Sequence, residues 1–133
     1  EHYDGVNSPY RGIIYAWDVV NEQIEPDDFH PEKNPGSVRY TCNNKNTGWY
    51  NIFQGDISYI TQSFVFANRY APNDIKLFYN DYNDADPVKR DAICVLLRQI
   101  KDTKGARIDG MGMQAHYHME FPSIEQIREA VYM

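Results

Sequence analysis

The chain has 133 residues, enough for one modest domain with a buried core. Its formal net charge is −6 and its 13 basic residues are scattered, which argues against nucleic acid or an anionic membrane surface as a partner. No apolar run approaches the ~18 residues of a membrane span, so the composition predicts a soluble globular protein.

The first half of the chain predicts one strand, one long loop and one helix. Ile13–Val20 is apolar and β-prone, as in a strand that is buried on both faces. The polar stretch Gln23–Gly48 follows and is longer than most loops of compact domains. Apolar residues at helical spacing then predict a helix that ends near Tyr70, before Pro72. This stripe consists of Phe53, Ile57, Ile60, Phe64 and Ala67.

A second strand and a second helix follow. Ile75–Tyr79 has the composition of a short strand. Asp86 is placed to cap a helix, Pro87 suits its first position, and Gly105 marks its end. The apolar stripe of this helix consists of Ile93, Leu96, Leu97 and Ile100.

The last part of the chain repeats the alternation of strand and helix. Ile108–Ala115 predicts a third strand, and Ser123 with Gln126 predicts a capping box for a third helix. Strands that alternate with helices indicate parallel βα units. A doubly wound sheet or a (β/α)8 barrel could contain them, and a barrel of roughly 250 residues would hold more than twice this many units.

Polar side chains follow each predicted strand where the strand ends. Because the carboxyl ends of parallel strands meet at one edge of a sheet, we expect these side chains to form an active site there. The three clusters are Asn21 and Glu22, then Asn80, Asp81 and Tyr82, then Gln114 and His116.

Two chemistries could use this set of side chains. In glycoside hydrolysis Glu22 would protonate the leaving oxygen, while a second carboxylate attacks the sugar or activates water. In metal-assisted hydrolysis His116 and His118 would bind the ion, because alternate residues of a strand share one side. We favour the first, since His118 is expected beyond the strand and to have a structural role.

Three segments resemble glycoside hydrolase family 10, the xylanases. Trp17–Glu22, which reads Trp-Asp-Val-Val-Asn-Glu, is similar to the acid/base strand of that family. Leu77–Asn83 and Ile108–His116 are similar to its next two strands. The connecting stretch Phe64–Pro72, which precedes Leu77, is similar to the Phe-x-x-Ala-Arg-x-x-x-Pro region of the family, with Asn68-Arg69 in place of Ala-Arg. Three motifs in this order and at these separations are far more specific than any one alone.

The resemblance implies that residues 1–133 are one part of a single catalytic domain, covering strands four to six of a (β/α)8 barrel. It implies that Glu22 is the general acid/base and that Asn21 binds the 2-hydroxyl of the sugar that becomes attached to the enzyme. The family nucleophile is a glutamate on a later strand, and neither Glu120 nor Glu125 matches its motif.

The remaining roles also come from the resemblance. Gln114 and His116 would flank the nucleophile, with His116 holding it by a hydrogen bond. Tyr82 would shape the cleft near the scissile bond, and Asn80 and Asp81 would support the acid/base from behind.

The resemblance implies retaining cleavage of internal β-1,4 bonds in xylan or xylo-oligosaccharides, without a cofactor or a metal. It further implies a secreted, monomeric parent protein that binds neither nucleic acid nor membranes. Two alternatives remain open: a β-1,4-glucanase or cellobiohydrolase with the same fold, and a carbohydrate-binding barrel relative without catalysis. The 133 residues alone are expected to be inactive.

Overall fold

The computed structural model describes residues 12–24 and 48–132. Residues 25–47 of the predicted long loop lie outside the described residues. The strands are β1 (Ala16–Asn21), β2 (Lys76–Asp81) and β3 (Gly110–Met113). The helices are α1 (Trp49–Ile52), α2 (Ser58–Tyr70), α3 (Pro87–Asp102) and α4 (Ile124–Val131).

The three strands form one parallel sheet in the order β1-β2-β3, which confirms the predicted βα units. In β1 the register shifts between Asp18 and Val20, so a bulge lies just before the carboxyl end of the strand. Pairing also sets the strand limits: β1 begins at Ala16, opposite Lys76, and not at Ile13 as predicted. A strand can extend only as far as its neighbour offers hydrogen bonds.

The core lies between the helix-facing side of the sheet and helices α2 and α3. Leu77, Tyr79 and Asp81 of β2 are buried on this side, whereas Phe78 and Asn80 alternate to the other face and are half-buried. From the helices come the buried residues Ile60, Phe64, Ile93, Leu96 and Ile100.

The predicted helix signals are present as hydrogen bonds. The Asp86 side chain accepts from the backbone N–H groups of Val88 and Lys89, each at 3.0 Å, and so caps α3. Ser123 and Gln126 form the predicted capping box of α4.

Further details differ from the prediction, including β2, which runs from Lys76 to Asp81 and not from Ile75 to Tyr79. Phe53 and Ile57 precede α2 instead of starting it, and the four-residue helix α1 is too short to produce a periodic pattern. The third strand begins at Gly110 and ends at Met113.

None of the helices in the described part of the chain is long and apolar enough to cross a membrane.

Candidate active site

The ends of the three strands bring the predicted polar residues to one edge of the sheet. Asn21 lies opposite Asn80 in the register of β1 and β2. The backbone pairing continues one residue further, because the Glu22 N–H donates to the Asn80 carbonyl at 2.8 Å. On the other side the Gln114 N–H donates to the Asp81 carbonyl at 3.0 Å. Residues from three distant parts of the sequence thus meet at the carboxyl edge of the sheet.

Side-chain hydrogen bonds connect five of these residues into what we call the amide network: Asn21, Glu22, Asn80, Gln114 and His116. The Gln114 Nε2 donates to Glu22 Oε1 at 2.8 Å and to Asn21 Oδ1 at 3.1 Å. Asn80 Nδ2 donates to the same Asn21 oxygen at 2.8 Å. His116 Nε2 lies 2.9 Å from Gln114 Oε1. Because a carbonyl oxygen only accepts, that contact requires a hydrogen on Nε2.

The amide network fixes the direction of two functional groups. One oxygen of Glu22 accepts from Gln114, so in the acid form the proton occupies the other oxygen. Both acceptor sites of the Asn21 oxygen are used by Asn80 and Gln114, which directs the Asn21 Nδ2 donor away from them. The arrangement can therefore offer one acidic proton and one amide donor side by side.

The backbone of Glu22 has φ = 55°, in the left-handed region that few non-glycine residues adopt. Such a conformation persists where the surroundings determine it, and such residues cluster at functional sites. The next two N–H groups, of Gln23 and Ile24, donate to the Tyr79 hydroxyl at 3.0 and 3.2 Å.

Behind the site, on the helix-facing side of the sheet, lies a buried polar cluster of Tyr79, Asp81 and Lys89. Asp81 and Lys89 form an ion pair at 2.8 Å, with side chains 0% and 1% exposed. Asp81 also accepts from the Tyr79 hydroxyl, from the Tyr82 N–H at 2.8 Å and from the Ile24 N–H at 3.3 Å. Burial and then the Asp81 charge raise the pKa of Tyr79 well above its ordinary value, so this hydroxyl stays protonated.

Tyr82 is in contact with this cluster. The Lys89 Nζ lies 3.3 Å from the centre of the half-buried Tyr82 ring, a close cation–π contact. The same cation therefore touches both the carboxylate behind the site and the aromatic residue that the sequence predicts in the cleft.

Lys89, like Tyr79, was not among the site residues predicted from the sequence. It lies four residues before Ile93 on the same buried face of α3. A lysine at a stripe position of an amphipathic helix was the available signal, because lysine is almost never fully buried unless it is paired.

The alternative metal site finds no support in the geometry. His116 contacts Gln114, whereas the His118 backbone pairs with Phe121, and the His118 ring lies 6.1 Å from the Phe121 ring. Within residues 12–24 and 48–132, no three or more His, Cys, Asp or Glu side chains are grouped as metal ligands.

The two carboxylates compared above with the nucleophile motif lie in other surroundings. Glu120 is exposed in a turn, and Glu125 in the first turn of α4 bonds to Arg128 at 3.1 Å. Glu22 is thus the single carboxylate of the amide network.

An aromatic pocket of about 560 Å³ lies beside Asn21 and Gln23. Trp49, which is 62% exposed, stacks on Tyr59 with ring centres 6.5 Å apart. The Tyr59 hydroxyl donates to Gln23 Oε1 at 2.8 Å. Trp17, by contrast, packs against the buried core. The pocket therefore adjoins the amide network at Asn21, the last residue of β1.

Comparison with known proteins gives a consistent result along the whole chain. The model of the family described as glycosyl hydrolase family 10 matches residues 1–133. Endo-1,4-beta-xylanase B of Paenibacillus barcinonensis is 41% identical over 131 residues, which is 98% of this chain and 35% of that enzyme. Endo-1,4-beta-xylanase A of Thermotoga maritima is 42% identical over 131 residues, which is 98% of this chain and 11% of that enzyme.

Solved structures agree with the sequence matches. Xylanase B from Clostridium stercorarium F9 is 41% identical with a TM-score of 0.74, covering 92% of this chain and 32% of that one. A Clostridium thermocellum endo-1,4-beta-D-xylanase, solved as CBM22-1 and GH10 modules with xylohexaose, is 34% identical with a TM-score of 0.75. That match covers 89% of this chain and 23% of the other. This likeness assigns the three βα units to part of a (β/α)8 barrel and not to a doubly wound sheet.

Proposed function

The chain belongs to glycosyl hydrolase family 10, and on that premise we propose that it supplies the acid/base part of the catalytic site of a secreted endo-β-1,4-xylanase. The observation that carries the proposal is the amide network, in which Gln114, itself bonded to Asn21, donates to Glu22 at the carboxyl edge of parallel strands. The named relatives support xylan as the substrate.

The proposed reaction retains the anomeric configuration in two steps. Glu22 gives its proton to the glycosidic oxygen while a second carboxylate attacks the anomeric carbon and forms a glycosyl ester. Glu22, now ionised, takes a proton from water, which attacks the same carbon and releases the sugar. We propose that the second carboxylate comes from a strand outside these 133 residues, about 5–5.5 Å from Glu22.

The neighbours of Glu22 suit the roles proposed for them. The Asn21 Nδ2 would donate to the 2-hydroxyl of the bound sugar, since its Oδ1 is occupied by Asn80 and Gln114. His116 would hold the nucleophile through Nδ1, since its Nε2 already bonds Gln114. Tyr82 would line the cleft above the Lys89 cation.

The test compares substrates that differ in their need for an acid. In the complete catalytic domain, Glu22→Ala should lower kcat/KM on xylan by about 10²–10⁴-fold, the usual contribution of general acid–base catalysis. On an aryl xylobioside with a strongly acidic phenol as leaving group, the loss in glycosyl-enzyme formation should be far smaller. Azide, which needs no base, should restore turnover and yield a glycosyl azide.

A matched control is available on α4. Glu125→Ala removes another partly exposed carboxylate, outside the amide network, and should leave both substrates unaffected. Equal losses on both substrates with Glu22→Ala would reject the acid role. Activity on cellulose above that on xylan would favour the glucanase alternative. If the unmodified domain binds xylan without hydrolysing it, and Glu22→Ala binds xylan equally well, the binding alternative is favoured. The 133 residues alone should release no sugar, since the amide network contains one carboxylate.

A further inference from the structure

The turn that carries Glu22 is held by side chains and not by the sheet. The ladder of backbone hydrogen bonds ends with the Glu22 N–H on the Asn80 carbonyl. Because Glu22 then turns into the left-handed region, the following N–H groups leave the plane of the sheet. Buried N–H groups need acceptors. Those of Gln23 and Ile24 find one in the Tyr79 hydroxyl, and the Ile24 N–H also reaches Asp81 Oδ2 at 3.3 Å.

The position of Tyr79 on its strand allows this contact. Side chains of β2 alternate between the two faces of the sheet, so Tyr79 and Asp81 lie on the helix-facing side. Asn80, between them, lies on the opposite face and joins the amide network. Glu22 is thus held from both sides: its carboxyl accepts from the Gln114 amide on one face, and the N–H groups of its turn donate to a phenol on the other.

The buried ion pair determines which way the Tyr79 hydroxyl points. The hydroxyl donates its hydrogen to Asp81, so its lone pairs face the two N–H groups of the turn. Lys89 neutralises Asp81 at 2.8 Å, which keeps a charged acceptor at this buried position. The contacts therefore run from Lys89 through Asp81 and Tyr79 to the residues after Glu22.

We propose that Tyr79, oriented by Asp81 and Lys89, is a positioning residue that fixes the backbone turn of Glu22 and thereby the direction of its acid proton. The proposal rests on the function proposed above for Glu22. It assigns to a buried tyrosine a part in proton transfer although its ring is 0% exposed and lies behind the sheet.

The test removes one oxygen atom in the complete catalytic domain. Tyr79→Phe should lower kcat on xylan by up to about 10²-fold with little change in KM, because small displacements of a reacting group cost this much. On the aryl glycoside that needs no acid, the loss should stay within about 3-fold, since acid–base assistance contributes little there. Hydrogen exchange at the Gln23 and Ile24 amides should become faster in the variant.

Tyr117→Phe is the matched control. The Tyr117 hydroxyl also donates to a carboxylate, Asp84 Oδ1 at 2.5 Å, without contact to the turn after Glu22. This variant should change kcat on both substrates by the same factor and leave the Gln23 and Ile24 amides protected from hydrogen exchange.

The outcomes separate the two proposals. Suppose that the activity loss in Glu22→Ala depends on the leaving group, but Tyr79→Phe lowers kcat equally on both substrates. The positioning role is then wrong and the proposed function stands. If Glu22→Ala shows no such dependence, the proposed function fails. Unchanged exchange at Gln23 and Ile24 in Tyr79→Phe overturns the positioning role whatever Glu22 does, and this measurement needs only a folded variant.

Discussion

The ion pair between Lys89 and Asp81 gives a sharp prediction about stability. Both side chains are essentially inaccessible, at 1% and 0% exposure, and their charged atoms are 2.8 Å apart. Lys89→Met keeps the volume but leaves the Asp81 charge buried without its counter-ion. Breaking a buried pair in this way costs about 3–5 kcal/mol. A whole domain has about 5–15 kcal/mol of stability, so the variant should lose a large fraction of it.

A double-mutant cycle isolates the interaction from the effects of each side chain. Asp81→Asn alone should also be strongly destabilising, because it leaves the lysine charge buried. The double variant Lys89→Met/Asp81→Asn carries no buried charge, so its cost should be smaller than the sum of the single costs by about 1–3 kcal/mol. The Glu125–Arg128 pair, with side chains 60% and 65% exposed, is the control. Glu125→Gln should change stability by less than about 1 kcal/mol.

Urea unfolding of the complete catalytic domain at neutral pH measures these free energies. Repeating it at high salt distinguishes the pairs, because a buried pair is screened far less than an exposed one. A loss below about 1 kcal/mol for Lys89→Met, or single costs that add within about 0.5 kcal/mol, would refute the reasoning.

Two further predictions concern β3 and the residue before it. Gly112→Ala should lower activity more than stability, because its Cβ would lie 2.6 Å from Asn80 Oδ1 and displace the amide network; wild-type kcat with an unchanged melting temperature would contradict this. Burial disfavours the Asp109 charge, but the Leu77 N–H and the Arg107 guanidinium hold the pKa of Asp109 below its ordinary value. Its stabilising effect is therefore present above the unfolded pKa of about 3.9 and is lost as pH falls through the lowered folded pKa. In urea, Asp109→Asn should cost more stability at pH ~7 than at pH ~3, and an equal cost at both would contradict this.

Local signals in the sequence determined most of the fold. Asp86 before Pro87, and Ser123 with Gln126, marked helix starts because a capping side chain bonds N–H groups two or three residues away. The apolar stripes of α2 and α3 identified their buried faces, and α2 ends at Tyr70 as predicted. Strand limits were less well predicted, because a strand ends where its partner does and the partner lies far away in sequence.

The apolar residues of α4 show a second limit of local patterns. Ile124 and Val131 have helical spacing, yet they are 86% and 61% exposed among the described residues. Spacing predicts an apolar face of a helix, whereas burial depends on which element packs against it.

For the site, the sequence by itself placed Asn21, Glu22, Gln114 and His116 at the ends of parallel strands. It could do so because the alternation of strands and helices follows from local apolar patterns and helix caps. The tertiary structure decided which atoms touch. Gln114 bonds Glu22 across 92 positions of sequence, and the N–H group that follows Glu22 donates to a hydroxyl from another strand. Lys89 joins the site only when α3 packs on β2, because this packing brings it to the Asp81 carboxylate. From the sequence alone, the partner of a lysine on an apolar stripe is unknown.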